Sequence, residues 1–354
     1  MKRIQFLDLA RGGTVLMMAP VHTALLYSFP TIYETVLIKF LSFMAEGPGA
    51  QLFMTLMGIY IGLAQDTDFV KTFKRSALLM LGGYALNVVK FVIPLCLGVL
   101  PAEMLHHLEI TGSNMAVNAI QLLLIGDIFH FAAIALILTT LIKRYVYHNA
   151  YIVVIIIAIT TIAPWCWDNT SHNAVINYLL QLTGGHPPRV YFPVFPWLVY
   201  PLTGLIIGKN LKRDERGTIE QTVIFSFILL GIYSSYRMIY PAAEDINFYR
   251  TEWPETIQHT GIVGIALFVY YKVNQLIPDN RVFQFLAYSG RNITRLYVVQ
   301  WIVIMFCLPI AGYQDLGVKG TIIGIVVMTG VSYGINYVIE ECKRIKYDNV
   351  KKMW

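Results

Sequence analysis

Ten stretches of about twenty apolar residues recur at short intervals along this chain, near 10–28, 48–65, 77–99, 117–142, 150–166, 191–208, 218–240, 256–274, 294–311 and 320–341. A helix of that length covers about 30 Å, the thickness of bilayer hydrocarbon, and only a helix or a closed barrel satisfies its own backbone there. These segments are too long and too continuous for barrel strands. With 14% of its 354 residues charged, the chain is well below the roughly 25% of soluble domains. The expectation is an all-α fold: a polytopic integral membrane helix bundle of about ten transmembrane helices. No internal repeat and no Gly/Ser linker marks a boundary, so residues 1–354 read as a single domain.

The connections alternate in charge. Twenty of the 27 Lys and Arg residues fall in every second connection, including Lys2 and Arg3 at the start, Lys71, Lys74 and Arg75 after the second stretch, and Lys343, Arg344, Lys346, Lys351 and Lys352 at the end. By the positive-inside rule both termini are cytosolic. The net charge of +6 is therefore accounted for by topology, and nucleic acid is excluded as a partner. Residues 34–45 are too short to cross and read as an amphipathic helix on the outer surface. Arg11 and Asp8 interrupt the first apolar run, and no small-residue cleavage pattern follows His22, so it reads as a retained span and not a signal peptide.

Charge inside the bilayer costs about 2.5–3.5 kcal/mol per group and usually faces a cavity or a partner. Few residues qualify: His22 in the first span, Lys90 in the third, Asp127 and His130 in the fourth, Arg237 near the outer end of the seventh and Arg295 near the inner end of the ninth. Lys90 and Asp127 read as a neutralising pair between spans or as a site. Arg237 can snorkel outward and Arg295 inward, and His130 fits a satisfied core histidine. His22 is the strongest candidate for chemistry. An apolar span favours the neutral imidazole, which leaves one ring nitrogen able to accept a proton. No Ser/His/Asp triad, phosphate-cradling Gly loop or metal-ligand cluster is legible, and the four scattered cysteines predict neither disulfides nor a metal site.

The opening Arg3-Ile-Gln-Phe-Leu-Asp8-Leu-Ala-Arg11-Gly12, leading to His22, resembles the first span of the transmembrane acyltransferase superfamily. Within it the chain is most similar to bacterial relatives of heparan-α-glucosaminide N-acetyltransferase, with acyltransferase type 3 proteins as cousins, whose basic residue and catalytic His are separated by ten others, as Arg11 and His22 are. Gly47–Gly58, Asp127-Ile-Phe-His130, Phe192-Pro193-Val-Phe-Pro196-Trp197 running to Gly204, and Gly290-Arg291-Asn292 with Tyr297 resemble later motifs of the family. One position departs. Relatives commonly have Tyr-x-x-His where this chain has Tyr297-Val-Val-Gln300, and an amide hydrogen-bonds without relaying a proton.

The resemblance implies an acyltransferase with no permanently bound cofactor. Its donor would be acyl-CoA, most simply acetyl-CoA, entering from the cytosol. Its acceptor would be a hydroxyl or amine of a glycan or another cell-envelope molecule at the outer face, in a bacterial inner membrane. His22 would be general base or transient acyl carrier, with Asp8 holding Arg11. Arg11, Arg295, Arg291, Lys74 and Arg75 are candidates for the nucleotide phosphates. Trp165, Trp167, Asp168, His172, His186, Arg189 and Trp253 offer the flat and polar faces that hold carbohydrate, although interfacial Trp belts give the same composition. A transporter or flippase for a glycolipid or solute, and a scaffold without catalysis, remain as alternatives, and a homo-oligomer is left open.

Overall fold

A computed structural model describes residues 4–65, 68–241 and 247–352, with side chains to residue 345. Lys2, Arg3 and the side chains of Lys346, Lys351 and Lys352 lie outside the described residues. Among those described the chain is all-helical, with no β-strand. In chain order the helices are α1 (Gln5–Tyr27), α2 (Val36–Glu46), α3 (Ala50–Leu63), α4 (Phe69–Cys96), α5 (Ala102–His107), α6 (Met115–Leu123), α7 (Ile128–Tyr145), α8 (Asn149–Cys166), α9 (Ala174–Gly184), α10 (Val199–Leu211), α11 (Glu215–Ile239), α12 (Trp253–Leu276), α13 (Arg281–Arg291), α14 (Ile293–Ala311) and α15 (Val318–Lys352).

Six of these, α4, α7, α8, α11, α14 and α15, are long and apolar enough to cross a membrane. The expected spans near 10–28, 48–65 and 256–274 are also helical, as is the second half of 191–208, but α3 and α10 have only 14 and 13 residues. The surface helix expected at 34–45 is α2.

Two expected spans are corrected. The run 117–142 is two helices, because Gly126 leaves the helix to pair with the 189–191 segment: its N–H donates to the Arg189 carbonyl at 2.8 Å and its carbonyl accepts from Tyr191 at 2.8 Å. Non-helical backbone is tolerated at such depth where protein supplies its partners. The expected span 191–208 starts later, at Val199, because Pro193 and Pro196 hold the preceding backbone open, with Phe195 extended at φ −102°, ψ 116°.

A third irregularity lies in α4. Residues 88–92 form a π-helical turn, and wider turns of this kind cluster at functional sites.

The largest core gathers Trp197, Tyr200, Phe131, Leu202 and Tyr297 between α3, α7, α10 and α14. Within it α3 and α10 cross backbone to backbone. A Cβ at Gly58 would lie 1.9 Å from the Pro201 carbonyl oxygen, and one at Gly204 would lie 1.9 Å from that of Thr55. Elsewhere α13 packs across the first half of α1, where a Cβ at Gly12 would meet the Leu286 carbonyl oxygen at 2.0 Å. These contacts explain why glycine recurs in the matching motifs: any side chain would hold the helices apart.

Candidate functional site

Near its C-terminal end α1 carries His22, two residues after Pro20. Proline cannot donate to the carbonyl one turn earlier, which loosens the helix just before the histidine. The ring of His22 is half-buried and held on several sides by α14, whose Tyr297, Gln300 and Trp301 share one face at helical i, i+3, i+4 spacing. Gln300 Nε2 lies 3.3 Å from His22 Nδ1. The Trp301 ring stacks on the imidazole, with centroids 4.3 Å apart and planes 29° from parallel, and Tyr297 presents an edge at 6.2 Å.

Behind this face lies the ion pair. Lys90, on the π turn of α4, reaches Asp127 Oδ2 at 3.0 Å, and both groups are buried. Asp127 is not in a helix interior as expected. It is the N-cap of α7, where Oδ1 accepts the Ile128 N–H at 2.7 Å, an arrangement that satisfies one of the helix's orphan donors. Tyr297 donates its hydroxyl to Asp127 Oδ2 at 3.1 Å. The Lys90 ammonium also stands 4.2 Å from the centre of the Trp301 ring. His130 faces away from His22: its Nδ1 accepts the Asp127 backbone N–H at 3.1 Å, and Gly83 leaves room for its ring.

At the other end of α1, eleven residues or about 16 Å from His22, Arg11 lies over the Tyr60 ring at 5.6 Å, and the Tyr60 hydroxyl donates to Asp8 at 3.4 Å. The site Gly290 would give a Cβ lies 3.1 Å from the Asp8 carbonyl oxygen and 3.4 Å from Arg11 Cβ, so the Arg11-Gly12 and Gly290-Arg291 motifs meet in space. Arg291 borders a cleft of about 550 Å³ with Gln5, Asp279, Phe283 and Gln284. Arg295 donates to Asn292 Oδ1 at 2.5 Å. Lys74 and Arg75 are exposed on α4 and do not line that cleft.

The other candidates divide. Arg237 does not snorkel outward: it donates to Glu255, a buried carboxylate on the neighbouring α12 that its guanidinium neutralises. Arg250 ties three loops together. It forks onto Asp168 at 3.0 and 3.1 Å, donates to the carbonyls of Gly184 and Gly185, and covers the Trp167 ring at 5.5 Å. That hydrogen-bonded guanidinium holds the Asp168 carboxyl below its ordinary range. His186 Nε2 stands 3.8 Å from the same carboxylate. Trp253 packs on Tyr236, and Trp165 is 75% exposed.

Trp301 and Arg250 are the residues the sequence did not single out. Trp301 follows Gln300 directly, but an aromatic inside an apolar span is ordinarily core. No group of three or more potential metal-ligating side chains occurs among the described residues.

A family model for heparan-alpha-glucosaminide N-acetyltransferase, catalytic, matches residues 3–234, a segment that holds His22, Lys90 and Asp127 but ends before α14. No curated protein matches the chain. The first-span pattern and the matched two thirds of the sequence agree: the chain belongs to the heparan-alpha-glucosaminide N-acetyltransferase catalytic family and is a membrane N-acetyltransferase.

Proposed function

We propose that the chain is a single ten-span domain with both ends in the cytosol. It moves an acetyl group from cytosolic acetyl-CoA to an amine or hydroxyl of a cell-envelope glycan at the outer face of a bacterial inner membrane. His22 is the reacting group. The observation that carries this reading is its setting: a partly buried imidazole on the helix that also bears Arg11, fixed at one nitrogen by Gln300 and against one face by Trp301. The other nitrogen is left to face a substrate.

Gln300 engages Nδ1 whichever way its amide is turned. An amide turned by 180° exchanges its N and O at almost unchanged shape. With the oxygen toward Nδ1, Gln300 accepts the Nδ1–H and Nε2 is the free base. Nε2 then takes the acceptor's proton as the acceptor nitrogen or oxygen attacks the acyl carbon. The carbon–sulfur bond breaks, and the departing CoA thiolate receives that proton from His22. An acyl-histidine route places the acyl group first on Nε2, with the same thiolate leaving. Arg11 and Arg291, brought together by the α1–α13 crossing beside the cleft, suit the nucleotide phosphates.

Purified His22→Ala protein, given radiolabelled acetyl-CoA and a panel of amino sugars and glycans, is expected to lose transfer. Acid-quenched wild-type protein that retains label on His22 supports the acyl-enzyme route. Unchanged transfer by His22→Ala would remove His22 from the mechanism.

A further inference from the structure

An imidazole that must meet an acyl carbon needs two things fixed: which nitrogen faces the substrate, and the plane of the ring. Gln300 answers the first. The second rests on Trp301, whose ring lies 4.3 Å from His22 and nearly parallel to it. A stacked ring transmits position only as well as it is itself held. The group holding it is Lys90, whose ammonium is 4.2 Å from the Trp301 centroid, a distance at which a cation is strongly attracted to an indole face.

Lys90 is in turn held by contacts of its own. It is buried in the protein, bonded to Asp127 at 3.0 Å, and also over the Phe91 ring at 4.5 Å. Asp127 is tethered by the Ile128 N–H and the Tyr297 hydroxyl. A chain of contacts therefore runs from the cap of α7 through the π turn of α4 to α14 and ends on the imidazole. A neutralising pair needs only the first contact. The ammonium placed over the ring that stacks on His22 is what a neutralising role leaves unexplained.

We infer that Lys90 and Trp301 are positioning residues for His22: the Asp127-clamped ammonium fixes the indole, and the indole fixes the imidazole plane. This rests on His22 being the reacting group. Reacting groups lose effect steeply with displacement, about a hundredfold in rate for 1 Å. Loss of the ring is expected to lower kcat by about that factor while KM for acetyl-CoA is unchanged, because Arg11 and Arg291 lie at the far end of α1.

The test combines kinetics with a direct readout of ring position. Protein labelled with [13C]histidine is examined by NMR in detergent, the His22 Cε1–H resonance being the one absent from His22→Ala. Stacking on an indole shifts it upfield. Trp301→Leu should abolish that shift, Trp301→Phe should keep most of it, and Lys90→Gln/Asp127→Asn, which removes both charges together, should also abolish it. Turnover is followed with radiolabelled acetyl-CoA and glucosamine. A wild-type His22 resonance in the double variant overturns the proposal, whatever the activity. If that variant does not fold, the Trp301→Leu and Trp301→Phe pair decides: equal resonances and equal kcat overturn it, and rescue by phenylalanine supports it. Activity persisting in His22→Ala would instead sink the reading on which the proposal rests.

Discussion

The crossing of α3 and α10 gives a quantitative test of the fold. A Cβ at Gly204 would lie 1.9 Å from the Thr55 carbonyl oxygen, 2.8 Å from its carbon and 2.9 Å from the Ile59 nitrogen. All three are backbone atoms inside a helix, so no side chain can rotate out of the way. To reach ordinary contact the two axes must part by roughly 1.5 Å, which unpacks the core around Trp197 and Tyr200. Overpacking of this kind costs about 1–3 kcal/mol, and an unyielding backbone places Gly204→Ala at the upper end. Alanine's better helix propensity returns about 1 kcal/mol, leaving a net loss of about 2. Gly330 on α15 has nothing within 4 Å of its Cβ position, so Gly330→Ala is the control and should be neutral or slightly stabilising. Reversible unfolding in mixed micelles, titrated with SDS and followed by tryptophan fluorescence, measures both. Because Gly58 and Gly204 share the contact, the double alanine variant should cost less than the sum of the singles. A Gly204→Ala midpoint equal to that of wild type would refute the close approach.

The same titration tests the buried pair: Lys90→Met, which strands the Asp127 carboxylate, should lose about 3–5 kcal/mol, whereas Lys90→Met/Asp127→Asn should recover most of it, since asparagine also caps a helix. Equal losses would show that the two are uncoupled. In the loops that Arg250 joins, the Asp168 carboxyl is held below its ordinary value chiefly by its hydrogen bond to Arg250. A lowered folded-state value stabilises above the unfolded one and is lost as pH falls through the folded one. The stability difference between wild type and Arg250→Gln should therefore be constant near neutrality and shrink below about pH 4. A difference that persists unchanged to pH 2 would count against the carboxylate's part in holding Arg250.

Helical class was legible because apolar length alone demands it. His22 was legible for the opposite reason: in a run of Leu, Met, Ala and Val it is the one titratable side chain. The Lys90–Asp127 pair followed from the cost of leaving either alone. The break at Gly126 was not legible, since no proline or run of turn residues marks it in 117–142 and the interruption is made by a segment more than sixty residues away. Trp301 was hidden by its chemistry, because an aromatic in a span carries no mark distinguishing a wall of a site from core. Arg250 was hidden because the carboxylate and carbonyls it binds lie more than sixty residues away in sequence. Local pattern thus identified the isolated groups, and only tertiary packing revealed what each one is held by.

The π turn at Val88–Val92 has a genetic consequence. It contains one residue more than an α-helical turn needs, and each residue rotates an α-helix by about 100°. Deleting a single codon there would leave a good helix, still apolar and still able to insert, but would swing the lysine relative to everything beyond it. A lineage could discard or regain this constellation through one short indel, with no substitution at any of its residues.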